Sequence, residues 1–133
     1  MTTTEPATGR LYPPVTAASA RAHVRDLLLS RVPAPPRTVV QDVLLVLTEL
    51  ITNAERHGGG LTAVDVRLDE DLLTIDVSDA SAVEPRTTPR GHPAAPGGFG
   101  WPLIQRLGNE VSVTPSPAGK TIRVVMRTDR VAS

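Results

Sequence analysis

One stretch limits what this chain can become. It starts in the apolar run Val43-Leu44-Leu45-Val46-Leu47 and ends in Gly58-Gly59-Gly60. Between them Val43, Leu47, Leu50, Ile51 and Ala54 recur at helical spacing, which predicts a buried stripe on a helix. The glycines stop that helix, because glycine tolerates the left-handed conformation of a C-terminal cap. A second pattern runs along the same helix. Glu49, Asn53 and His57 are spaced by four residues each, which sets them along one side, a turn apart. A Glu so placed can take a proton from an attacking hydroxyl, and an Asn oxygen is a hard, neutral ligand for Mg2+ beside phosphate oxygens. The same stripe also fits a plain solvated face. A phosphate cradle elsewhere in the chain is what decides between the two.

The 133 residues suffice for one compact domain with a real core. Aromatics are only 2%, so that core must be built from Leu, Val, Ile and Ala. Lys plus Arg and Asp plus Glu each number 14, and the zero net charge argues against a broad basic surface for nucleic acid or anionic lipid. The absence of cysteine excludes disulfides and thiolate metal sites. Residues 1–10 hold no apolar signal core, and no apolar run reaches membrane-spanning length, so a cytoplasmic protein with no membrane contact is expected.

Along the chain, the polar residues 1–10 read as a disordered terminus and Leu11 to Val15 as a short edge strand, weakened by Pro13 and Pro14. Thr16 to Val32 is helical in pattern, with Ala17, Ala20, Val24, Leu27 and Leu28 on its apolar side and Thr16 or Ser19 as cap. Pro33, Pro35 and Pro36 break it, and the central helix follows from about Arg37 to His57. Thr62–Asp69 and Leu72–Asp79 alternate apolar and polar residues around a polar turn, the pattern of a β-hairpin with one buried face. Residues 80–96 hold four prolines and no period, and read as a mobile loop of functional length. A helix from about Trp101 to Leu107, then strands Glu110–Thr114 and Lys120–Thr128, complete a single domain over 11–128, with 129–133 a loose tail.

Two further signals stand beside the helix face. Gly97-Gly98-Phe99-Gly100 precedes a helix, where backbone amides and the helix dipole can receive an anion; a plain helix lead-in has the same look. It is not a Walker loop, since no Gly-Lys-Ser/Thr follows. Asp79 ends a predicted strand, where a carboxylate can accept a hydrogen bond from an exocyclic amine such as that of adenine, or can cap a turn.

Taken in order, these segments resemble a known family. Glu49-Leu-Ile-Thr-Asn53-Ala-Glu-Arg-His57-Gly58 resembles the N box of the GHKL-type (histidine kinase-like) ATPases, which include DNA gyrase and the histidine kinases. Asp76-Val-Ser-Asp79-Ala-Ser81 resembles the first Gly box, with Ser81 in place of a Gly. Gly97-Gly-Phe-Gly100-Trp-Pro-Leu-Ile-Gln-Arg-Leu107 resembles the second, with Trp101-Pro102 in place of the usual Leu and variable residue. Gly119-Lys-Thr121 resembles the Gly-Thr element after it. The similarity covers roughly Leu11 to Arg127 and is nearest to the stand-alone anti-sigma factor serine/threonine kinases.

The resemblance implies an α/β sandwich of the Bergerat type, with a mixed, largely antiparallel sheet covered on one face by helices. It implies ATP and Mg2+ as cofactors. By position, Asn53 would ligate Mg2+ and Glu49 would be the general base. Asp79 would bind the adenine amino group, with Thr121 helping through its hydroxyl. Gly98 and Gly100 would let a lid, residues 80–96, close over the phosphates, and His57 would lie near them. The implied partners are a sigma factor and an antagonist protein that the kinase phosphorylates; a homodimer is expected by resemblance only. Two alternatives stand beside this. One is a binding module that uses ATP as a switch and transfers nothing; the other is a detached histidine-kinase-like domain whose phosphoacceptor is another chain.

Overall fold

The computed structural model describes residues 7–13, 15–31, 33–56, 59–81, 83 and 100–129. Its elements are β1 (Ala7–Leu11), α1 (Ala17–Leu29), α2 (Arg37–Arg56), β2 (Leu61–Asp69), β3 (Leu72–Asp79), α3 (Gly100–Leu107), β4 (Glu110–Ser116) and β5 (Gly119–Arg127). The five strands form one sheet in the order β1-β2-β3-β5-β4. Every neighbouring pair is antiparallel, so the sheet is antiparallel throughout rather than mixed.

Strand alternation decides which side the helices cover. Val64, Val66 and Leu68 of β2, Leu73, Ile75 and Val77 of β3, and Ile122, Val124 and Met126 of β5 are buried. They join one core with Ala20, Val24 and Leu28 of α1 and with Val43, Leu47, Leu50, Ile51 and Ala54 of α2. The side chains out of phase with these form the other face, which is polar. There Arg10 pairs with Asp65 at 3.0 Å and Arg123 with Asp76 at 2.8 Å. Asp76, through its hydrogen bond and its charge, raises the Arg123 guanidinium above its ordinary pKa.

Local chemistry sets the ends of the elements. Thr16 caps α1: its Oγ1 accepts from the Ser19 N–H at 2.9 Å, and Ser19 Oγ accepts from the Thr16 N–H at 3.1 Å. The β2–β3 hairpin closes through Glu70, at φ 54°, and Asp71, with Asp69 opposite Leu72. The edge strand lies upstream of its predicted place. It is Ala7–Leu11 rather than Leu11–Val15, so residues 7–10 are ordered against β2. Gly9 lets β1 lie close to α1 there, where a Cβ would press on the His23 ring.

α2 is the hub. It packs on α1, on α3 and on strands β2 and β3. Arg21 of α1 donates to Thr48 Oγ1 at 3.3 Å, and Thr48 donates to the Leu44 carbonyl at 2.8 Å, which fixes the rotation of α2 against α1. That rotation decides where the Glu49–Asn53 side points. Among the described residues no helix is long and apolar enough to cross a membrane.

Candidate functional site

The buried stripe of α2 leaves Glu49 and Asn53 half-buried, flanked by fully buried Leu50 and Ala54. Four residues of helix separate them, so both oxygen-bearing side chains reach the same neighbour. That neighbour is Gly100, buried at the head of α3. A Cβ placed on Gly100 would stand 2.6 Å from Glu49 Oε2 and 3.4 Å from Asn53 Oδ1. The glycine is what lets the start of α3 approach these two oxygens. The first and last of the three sequence signals therefore meet, although 47 to 51 residues separate them in the chain (100 − 53 and 100 − 49).

The end of α2 is tied to the end of β3. Gly59 and Gly60, at φ 70° and 117°, turn the chain after the helix. The Gly60 N–H donates to the Ala54 carbonyl at 3.1 Å, and the Gly60 carbonyl accepts from the Ala80 N–H at 3.1 Å. This sets Asp79-Ala80 beside the helix terminus. Asp79 is in phase with Leu73, Ile75 and Val77, so its carboxylate enters the helix-covered side of the sheet.

There it is not alone. Asp79 faces Lys120 across the β3–β5 ladder, and the Lys120 ammonium lies 3.0 Å from Oδ1 and 3.0 Å from Oδ2. Both side chains are almost completely buried, at 4% exposure for Lys120 and 3% for Asp79. Asp79 Oδ1 also accepts from the Ser81 N–H at 2.9 Å, and Lys120 also donates to the Ser81 carbonyl at 3.1 Å. Gly119, at φ 153°, precedes the lysine; a Cβ there would collide with the Asp79 carbonyl oxygen. Backbone and side chain of Asp79 are thus both gripped by residues 119 and 120.

Thr121, the residue expected to help Asp79, lies elsewhere. Its hydroxyl shares a hydrogen bond of 2.8 Å with Ser78 Oγ. Ser78 and Thr121 are register partners one residue out of phase with Asp79 and Lys120, so they occupy the other face of the sheet. The β5 residue beside Asp79 is Lys120. Strand parity could have found it: counting back by twos from Met126 through Val124 and Ile122 reaches Lys120, not Thr121.

His57 and Gly98 lie outside the described residues, as does most of the expected lid, 84–99 together with Ala82. Among the described residues no group of three or more His, Asp or Glu side chains gathers to hold a metal unaided. A Mg2+ carried by phosphates needs less. It keeps several waters and takes one or two protein oxygens, and Asn53 Oδ1 beside Glu49 fits that donor set.

No curated protein gives a match. Among solved structures, that of the RsbU and RsbW domains of Rv1364c from Mycobacterium tuberculosis is similar, with a TM-score of 0.67 at 20% identity. The likeness covers 97% of this chain and 33% of that one, so the present chain spans about a third of its length; it is a likeness of fold. The family model of the histidine kinase-like ATPase domain matches residues 13–126, and the chain belongs to that family.

Proposed function

We propose that this chain is an ATP-dependent regulatory protein, a serine/threonine protein kinase that phosphorylates an antagonist protein and itself holds a sigma factor. The observation that carries the reading is the convergence of Glu49 and Asn53 on Gly100 at the head of α3. A carboxylate, a neutral metal ligand and a helix N-terminus in one place are what phosphoryl transfer asks of a protein: positioning and charge compensation. The family supports ATP as the donor. The resemblance of its motifs to the stand-alone anti-sigma factor kinases supports the protein substrate.

In this reading Asp79 accepts from the adenine amine, and the start of α3 at Gly100, close to Glu49 and Asn53, faces the phosphates. Bound Mg2+, held through Asn53 Oδ1, would offset phosphate charge. Glu49 takes the proton of the attacking serine hydroxyl while the serine oxygen bonds to the γ-phosphorus. The bond from that phosphorus to the β–γ bridging oxygen breaks, and ADP leaves with the electron pair. The protein acts in the cytoplasm, free of nucleic acid.

The test is incubation with γ-labelled ATP and candidate antagonist proteins encoded nearby in the same genome. Acid-stable label on a serine or threonine is expected. Acid-labile label on a histidine would replace this reading with that of a detached histidine-kinase-like domain. Nucleotide-dependent partner exchange without any transfer would replace it with that of a switch.

A further inference from the structure

We propose that Lys120 is a specificity-determining residue of the base site, and that the Asp79–Lys120 ion pair is opened by the Watson–Crick edge of adenine. The inference rests on the ATP-binding reading above and adds a second contact to it. Three observations carry it. Lys120, and not Thr121, shares the helix-covered side of the sheet with Asp79. Its ammonium lies 3.0 Å from each of the two carboxylate oxygens, so the pair has two contacts. The pair is also anchored independently of that second contact, through the Ser81 N–H on Oδ1 and the Ser81 carbonyl on Nζ.

Separating Nζ from Oδ2 alone therefore leaves Oδ1, Nζ and Ser81 joined. It exposes one acceptor, Oδ2, beside one donor, an N–H of Lys120. Adenine presents the complement on adjacent atoms: the 6-amino group donates and N1 accepts. The 6-amino group gives its hydrogen to Oδ2, and Lys120 gives one to N1. No charge is left unpaired when the base enters, because the ammonium and the carboxylate remain in contact through Oδ1. A hydroxyl in place of Lys120 could offer N1 only a neutral hydrogen bond, about half as strong.

Titration calorimetry on the full wild-type chain tests this with Mg2+ and four triphosphates, GTP among them. ATP carries both groups, 1-deaza-ATP lacks the N1 acceptor, and purine riboside triphosphate lacks the 6-amino group. Both analogues are expected to bind about ten- to a hundredfold more weakly than ATP, the loss for an unmade hydrogen bond to a charged partner. If 1-deaza-ATP binds as tightly as ATP while the amine-free analogue is weak, the Lys120 contact is overturned and the Asp79 reading stands. If ATP itself does not bind, the ATP reading falls and this one with it. GTP bound at least as tightly as ATP would also overturn the proposal, because the opened pair would then be reading a guanine edge. In Lys120→Met, checked for folding by circular dichroism, ATP and 1-deaza-ATP are expected to converge to within about twofold. Persistent discrimination in that variant would assign N1 to another residue. The wild-type comparison decides by itself should the variant not fold.

Discussion

Lys120→Met should be among the most damaging single substitutions in the chain, and its cost can be argued from the pair's surroundings. The Asp79 side chain is 3% exposed and its ammonium partner 4%. Without Lys120 the carboxylate keeps one described donor, the Ser81 N–H. Removing one partner of a buried pair costs about 3–5 kcal/mol, since the remaining charge stays desolvated. A domain is stable by about 5–15 kcal/mol in total, so about a fifth or more of the margin goes. For a chain of this size the melting midpoint should fall by about 10–20 °C. Asp79→Leu alone should cost as much. The double variant Asp79→Leu/Lys120→Met should cost less than either, because no charge remains buried, with a coupling of at least about 2 kcal/mol. Arg123→Ala is the internal control. Its pair with Asp76 has comparable distances, but Arg123 is 57% exposed. Such a pair contributes about 0–1 kcal/mol. Urea unfolding of the four variants measures all of this. A cost below about 1 kcal/mol for Lys120→Met, with no coupling in the cycle, would refute the claim that the pair is desolvated.

Other outcomes follow from the same geometry. Glu49→Gln should leave ATP affinity within a few-fold and cut phosphoryl transfer by about 100-fold or more, read by titration and by label transfer; transfer at the wild-type rate would make Glu49 structural. Asn53→Ala should weaken Mg-ATP binding itself, seen in the same titration. Gly100→Ala places a methyl 2.6 Å from Glu49 Oε2, so it should displace that carboxylate and lower transfer while the melting midpoint barely moves. Saturating Mg-ATP, at 100 times its dissociation constant, should stabilise the wild type by about 2.7 kcal/mol, seen as a raised midpoint.

The core was legible in the sequence because its periods are long and clean. The stripe from Val43 to Ala54 and the alternation of Leu73, Ile75 and Val77 leave little choice of buried face, and those residues are buried. The edge strand was not legible. Ala7-Thr8-Gly9-Arg10 carries no apolar alternation, and its place is set by backbone pairing to β2 and by a glycine that clears His23. The motifs single out Glu49, Asn53 and Gly100, which the fold brings together, and also Asp79 and Thr121, which it places on opposite faces of the sheet. A motif is read by order along the chain, whereas a strand sends alternate residues to opposite faces. The contact between Asp79 and Lys120 spans 41 residues: parity within β5 gives the face of Lys120, but only the β3–β5 register sets it opposite Asp79.

That register also governs when the site can exist. β5 is the last strand in chain order, yet it lies inside the sheet, between β3 and β4. A nascent chain leaving the ribosome has Glu49, Asn53 and Asp79 long before it has Gly119 and Lys120. Until residue 127 has emerged, β3 has an open edge and Asp79 lacks its lysine. If nucleotide is recognised through both residues, as proposed, it cannot template early folding and stabilises only a chain whose final strand has been inserted. On the proposed reading, a ribosome stalled before β5 would hold a chain with Glu49, Asn53 and Asp79 but without the lysine that faces Asp79.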